Sequence, residues 1–165
     1  MEYSDTKNNE IENNKNIIIR ELKDSDLNNG FFDTLENLSN VQDIKKNQNM
    51  GYKILKEILE NKNLFVFVAL ENNIIVGSIT IIIEQKFIHN GGMVGHIEDV
   101  VTRKGFEDKG IGTKLVKNAL KFAERKKCYK VILNCSKENT GFYKKNGFVV
   151  HGIEMRYDIN KKKTE

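Results

Sequence analysis

The sequence predicts a single-domain α/β fold of the α+β type: a mixed, mostly antiparallel sheet with a central pair of splayed parallel strands, flanked by helices. Three observations predict it. Two dense β-branched and aromatic runs, Leu64 to Leu70 and Ile74 to Ile83, meet across Glu71-Asn72-Asn73, and Asn-Asn tolerates the positive φ angles of a tight hairpin. A strand at His96 to Thr102, a helix opening at Gly110 and a strand at Tyr129 to Cys135 make a βαβ unit, so these two strands are expected to be parallel with a right-handed crossover. Finally, 165 residues with 39% apolar content suffice for one core, and no repeat or linker divides the chain.

The elements follow in order. Met1 to Asn16 is polar and aperiodic and reads as a disordered tail, and residues 160–165 read as a basic one. The folded domain is therefore expected over residues 17–159. Ile17 to Arg20 is a first strand, and Ser25 and Asp26 supply cap chemistry for a helix carrying Phe31, Leu35 and Leu38 at helical spacing. A second amphipathic helix with Tyr52, Leu55 and Leu59 runs to Asn61. After the hairpin, Gln85 to Gly95 reads as a loop by its Asn90-Gly91-Gly92. The helix from Gly110 sets Ile111, Leu115, Ala119 and Phe122 on one stripe. Glu138 to Lys145 is a short helix, and Phe148 to Ile159 is expected to close the sheet.

Composition narrows the function. Basic residues number 27 against 23 acidic, a net charge of +4, which suits a small polyanion and is too weak and dispersed for nucleic acid. Cys128 and Cys135 lie in or beside an apolar run that reads as a buried strand and are expected to be buried, reduced thiols, while His89, His96 and His151 are scattered, so no metal site is expected. His96 reads as structural and His151 as surface. No apolar run approaches a membrane span and no leader is evident, so a cytoplasmic protein is expected.

Chemistry concentrates in two segments. Glu107-Asp108-Lys109-Gly110-Ile111-Gly112 sits between a strand and an amphipathic helix. Its glycines let backbone amides approach a ligand, and the helix's first-turn amides lack internal partners, which makes a pyrophosphate cradle. Farther on, Asn139 and Tyr143 are four apart in a short helix, so an amide and a phenol project from one face. Glu98 and Asp99 are adjacent acids in an apolar strand, costly there unless they have partners.

With its glycine loop followed by Asn139 and by Tyr143 through Gly147-Phe148, the sequence resembles the GNAT acetyltransferase superfamily over about Ile17 to Tyr157. Lys86-Phe87-Ile88-His89, Gly95-His96-Ile97-Glu98-Asp99-Val100 and Cys128-Tyr129-Lys130 resemble, within it, the glucosamine 6-phosphate N-acetyltransferase family, as do Gly30-Phe31-Phe32 and Leu38-Ser39. The resemblance implies a GNAT fold, acetyl-CoA as co-substrate, no metal, and direct attack of a sugar amine on the thioester in a ternary complex. It implies acetyl-CoA contacts at Val100, Val101, the loop Glu107 to Gly112, Asn139 and Tyr143. Acceptor contacts are implied at Ser39, Lys86 to His89, Glu98, Asp99, Lys130, Asn134 and Arg156. Glu98 and Asp99 would accept hydrogen bonds from the amine and relay its proton, and Tyr143 would protonate the departing thiolate. A homodimer is implied as well, the C-terminal strand completing the neighbouring site with Arg156.

The departures are specific. Glu107 stands where the family has Gln or Arg, Asp108 where Gly is common, Ser39 where Thr occurs and Asn134 where Asp is frequent. Two carboxylates beside a pyrophosphate are electrostatically unhelpful, so weakened CoA affinity is expected. Two other functions compete: a GNAT acting on a peptide amine, and a non-catalytic acetyl-CoA-binding domain.

Overall fold

Asn72 and Asn73 hold φ of 50° and 64°, the left-handed geometry a two-residue hairpin requires, and they join β2 (Leu64–Glu71) to β3 (Ile74–Gln85). A computed structural model describes residues 17–159; both expected tails lie outside the described residues. β1 (Ile18–Glu21), β4 (Met93–Thr102) and β5 (Cys128–Leu133) complete a five-stranded sheet ordered β1-β2-β3-β4-β5. All neighbours are antiparallel except β4 and β5, which are parallel as the βαβ pattern requires. The helices are α1 (Phe31–Leu35), α2 (Gln42–Lys46), α3 (Gln48–Glu60), the single turn α4 (Ile88–Gly91), α5 (Ile111–Arg125) and α6 (Thr140–Lys145), with a 3-10 turn at Asp24–Asn28. The chain divides between Leu133 and Asn134 into two compact units. Among the described residues, the first unit holds every strand and α1 to α5, and the second holds α6.

The two faces of the sheet carry separate cores, and a register shift between Ala69 and Leu70 lets Ile75 and Gly77 face opposite ways. Leu70 and Ile75 face one way, with Val66, Val68, Leu22, Leu27, Phe31 and Leu55, under α1 and α3. Gly77 faces the other way, where an added Cβ would lie 2.7 Å from Ile111 and 2.9 Å from Leu115. The predicted α5 stripe is buried there, with Ile111, Leu115 and Ala119 at 1% exposure or less. Asp26 pins the entry to the first core. It is 1% exposed, and its oxygens accept from Arg20 at 2.6 and 2.8 Å and from the Lys23 amide at 2.8 Å. Burial raises its pKa, but the guanidinium and that amide outweigh burial and hold the carboxyl below its usual range.

Several expectations are corrected. Ser25 and Asp26 open a 3-10 turn rather than the helix, which starts after Gly30 at φ 87° and ends at Leu35, leaving Leu38 half exposed. Of the α3 stripe only Leu55 is buried; Tyr52 and Leu59 face outward. The expected loop at Gln85 to Gly95 is mostly ordered: β3 runs through Gln85, α4 makes the turn, and β4 begins at Met93. Cys128 is half-buried and Cys135, beyond the end of β5, is exposed, so neither is a core residue. Phe148 to Ile159 forms no strand. An extended segment needs a ladder partner and a face to cover it, and here Val149, Val150, Ile153, Met155, Tyr157 and Ile159 are 71–94% exposed. The parallel pair therefore lies at the end of the strand order rather than in its centre.

Candidate functional site

β4 changes character halfway along. Met93 to Ile97 pairs with β3 on one side and β5 on the other, but the β4–β5 ladder stops at Ile97↔Leu133. Beyond it, on the β3 side, Ser78 faces Val101 and Thr80 faces Glu98, so Asp99 and Val100 together oppose Ile79. This is a bulge, and Asp99 adopts φ of 49° within it. From Glu98 to Thr102 the strand keeps only β3 as a ladder partner, and Asn37 donates to the Thr102 carbonyl at its end. Glu98 and Asp99 escape the cost of burial by being exposed there, not by finding partners inside the strand.

The strand leads directly into the glycine loop. Gly110 caps α5 at φ 73°, an added Cβ would meet nothing within 4 Å, and the first intrahelical bond runs from the Lys114 amide to the Gly110 carbonyl at 3.0 Å. The amides of Ile111, Gly112 and Thr113 precede that bond, at the positive end of a 15-residue helix dipole. An anion fits this end: donors converge, and no side chain rises from Gly110. The two departing carboxylates take different courses. Glu107 curls back to accept from the Gly105 amide at 2.6 Å and from Asn37 at 3.3 Å. Its pKa is lowered, chiefly by its own amide, then by those of Gly105 and Asn37, against a rise from burial. Asp108 occupies the left-handed region at φ 60°. Lys109 turns to Glu71 at 3.4 Å and lies 4.4 Å over Phe106, so its charge is partly engaged away from Asp108.

On the sheet edge, α4 assembles a second group. His89 and Asn90 are left-handed at φ 53° and 54°, and the His89 ring packs against Tyr129 with centroids 4.3 Å apart and planes tilted by 42°. Gly92 permits this approach, since its Cβ would come within 2.8 Å of Tyr129. His89 is thereby brought beside Tyr129, over whose ring the Lys130 ammonium lies 5.5 Å from the centroid. Phe87, Ile88 and His89 are exposed and Lys86 half-buried. Lys86 bonds Glu84, which also accepts from His96 at 2.8 Å, and these two partners, Lys86 first, lower the Glu84 pKa. His96 thus has a carboxylate partner on the neighbouring strand. Ser39 is exposed just past α1, its amide bonded to the Leu35 carbonyl at 3.1 Å.

Asn134, Asn139, Tyr143 and Arg156 stand in the second unit. Asn139 precedes α6 and its carbonyl accepts from the Tyr143 amide at 3.2 Å, which fixes the four-residue relation seen in the sequence. The Tyr143 ring meets Phe142 at 5.0 Å and Phe148 at 5.9 Å, both edge-on. Arg156 bonds Asp158 at 2.6 Å and is largely exposed.

Sequence reasoning missed Glu84, Asn37, Arg103 and Asp33. Glu84 carries no local signature, since only the β3–β4 register sets it beside His96. Arg103 reaches Asp33 at 3.1 Å past Gly30, where an added Cβ would lie 2.5 Å from the guanidinium. Among the described residues, no His, Cys, Asp or Glu group is placed to hold a metal ion, and no helix is long and apolar enough to cross a membrane.

The profile of the Acetyltransferase (GNAT) family matches residues 32–148. The chain is 37% identical over 137 residues to glucosamine 6-phosphate N-acetyltransferase of Candida albicans, covering 82% of this chain and 91% of that one. It is 30% identical to glucosamine 6-phosphate N-acetyltransferase 1 of Dictyostelium discoideum, over 84% of this chain and 88% of that one. Among solved structures, that of glucosamine-6-phosphate N-acetyltransferase from Arabidopsis thaliana superimposes with a TM-score of 0.83 at 32% identity, over 88% of this chain and 100% of that one.

Proposed function

This chain belongs to the GNAT acetyltransferases and, within them, to the glucosamine 6-phosphate N-acetyltransferase family, and from that premise we propose that it acetylates the amine of D-glucosamine 6-phosphate. The products are N-acetyl-D-glucosamine 6-phosphate and CoA, on the route to UDP-N-acetylglucosamine. The observation that carries the reading is the bulged free end of β4 running into the glycine-capped α5.

Acetyl-CoA supplies an activated thioester, and the chain's own groups bind, orient and move protons around it. The amides of Ile111 to Thr113 hold the pyrophosphate. The backbone N–H of Val100 or of Val101 donates to the oxygen on which charge develops. Glu98 and Asp99 orient the amine, part of which is neutral at neutral pH because a hexosamine is less basic than a lysine, and they receive its proton. Asn139 lies against the donor, and Tyr143 gives a proton to the thiolate, whose ordinary pKa is about 8.5.

Lys86, Lys130 and Arg156 supply the cations for the sugar phosphate, the arginine fork matching its oxygens. Ser39, Phe87, Ile88, His89 and Asn134 complete the acceptor pocket. The protein acts in the cytoplasm as a homodimer, in which a second copy pairs with the segment after Phe148 and receives Arg156. The exposed apolar side chains of that segment support this arrangement.

Thiol release from acetyl-CoA, followed in parallel with glucosamine 6-phosphate, glucosamine and a lysine peptide, tests the reading. Release that depends on the sugar phosphate is expected, with a sharp fall in Tyr143→Phe. Release with the peptide alone would replace the acceptor, and binding without release would leave a non-catalytic acetyl-CoA-binding domain.

A further inference from the structure

Asn37 lies between two regions that the proposed reaction uses separately. It follows α1 and precedes Leu38 and Ser39 on the acceptor side, yet its Nδ2 donates to the Thr102 carbonyl at 2.8 Å and to Glu107 Oε1 at 3.3 Å. Both amide hydrogens are therefore committed. Thr102 is the last residue of β4, one past Val101, and Glu107 stands in the loop before Gly110. The other Glu107 oxygen holds the Gly105 amide at 2.6 Å.

A carboxylate can only accept, and one aimed at a pyrophosphate would repel it. Folding Glu107 back on its own loop removes that conflict and gives the side chain another task. Arg103 makes a second tie, donating to Asp33 on α1 at 3.1 Å while Lys45 binds the other Asp33 oxygen. The Arg103 amide is fixed in turn to the Val76 carbonyl at 2.8 Å. α1 and the segment after it are thus bonded to the strand end and to the donor loop at three points.

We propose that Asn37 is a positioning residue that couples the acceptor-side segment Asn37–Asn40 to the donor loop Arg103–Gly110, through the Thr102 carbonyl and the Glu107 carboxylate. Ordering of the loop by acetyl-CoA then orders the segment that carries Ser39, and by linkage a bound acceptor tightens acetyl-CoA by the same factor. The acceptor half of this inference rests on the proposed function; the mechanical coupling does not.

Amide hydrogen exchange on the full chain, with and without CoA, reads the coupling without any acceptor. CoA is expected to slow exchange over residues 37–40 at least threefold in the native protein. Asn37→Ala and Glu107→Ala should abolish that protection, and Glu107→Gln, whose single amide oxygen can accept from Asn37 or from the Gly105 amide but not both, should retain only part of it. In steady-state kinetics Asn37→Ala should raise the KM for glucosamine 6-phosphate about fivefold with kcat little changed, and remove the dependence of that KM on acetyl-CoA concentration. The inference is overturned if CoA protects residues 37–40 equally in native protein and Asn37→Ala, or protects them in neither. If coupling is lost in Asn37→Ala while the native protein ignores glucosamine 6-phosphate, the coupling stands and the acceptor assignment falls.

Discussion

The two halves of β4 are built from one run of sequence and serve opposite ends. From Met93 to Ile97 the strand is paired on both sides, Val94 and Ile97 are buried, and His96 is held by Glu84. From Glu98 to Thr102 it keeps only β3, bulges at Asp99, and exposes two adjacent acids. In the first half the one polar side chain, His96, has a partner within the fold. In the second half the parallel ladder is gone, because the pairing with β5 ends at Leu133, and the bulge re-aims the backbone. A strand can be both scaffold and site when its neighbour stops early.

Substitutions at adjacent positions give the sharpest test of that division. Ile97→Ala empties a site that is 2% exposed and should cost about 3 kcal/mol, a fall in Tm on the order of 10 °C, while kcat per folded molecule stays near native. Glu98→Ala should do the reverse: kcat/KM falls about a hundredfold and stability changes by no more than about 0.5 kcal/mol. Thermal melts beside initial rates separate the two. If Glu98→Ala melts early with normal turnover, the second half of β4 is structural and the division fails.

A smaller effect comes from a carboxylate used wholly by the fold. Asp26 is buried where Glu98 is exposed, and Asp26→Asn should cost about 2 kcal/mol at neutral pH, below the usual penalty for breaking a buried pair because Arg20 is one-quarter exposed. Its folded pKa lies below the unfolded value near 3.9, so its contribution is complete above that pH and is lost as pH falls through the folded pKa. Denaturant melts should therefore show a constant gap between native and variant from about pH 6 to 8 that narrows below about pH 4. A gap that widens with acid would mean that Asp26 is neutral in the folded protein.

Much of this arrangement is legible in the sequence, and the parts that are not share a cause. The Asn72-Asn73 hairpin, the parallel β4–β5 pair and the α5 stripe follow from local pattern, because turn chemistry and periodicity act within a few residues. The glycine loop and the Asn139–Tyr143 pair follow from motif spacing. The 3-10 turn at Asp24–Asn28 was hidden because cap residues do not say which helix type they open. Cys135 and the segment from Phe148 to Ile159 misled because apolar alternation states what a strand could bury, not whether a partner strand is there. Glu84 with His96, and Asn37 with Glu107, are 12 and 70 residues apart, and only register and packing bring them together.

The smallest predicted effect lies in the loop between β4 and α5. Asp108 sits at φ 60°, a region costing an L residue about 1 kcal/mol, and Gly enters it freely. Asp108→Gly should therefore raise stability by about 0.5 kcal/mol, part of the relief being offset by the greater unfolded-state freedom of glycine. The same change removes a negative charge beside the anion-binding end of α5. Repulsion between unit charges about 6 Å apart in water is about 0.7 kcal/mol, so the KM for acetyl-CoA should fall roughly threefold. Salt distinguishes the two contributions: raising ionic strength should erase most of the KM gain by screening and leave the stability gain in place. A KM gain that survives 1 M salt would assign the whole effect to backbone conformation, and an unchanged KM at low salt would mean that Asp108, like Glu107, already points its charge away from the donor.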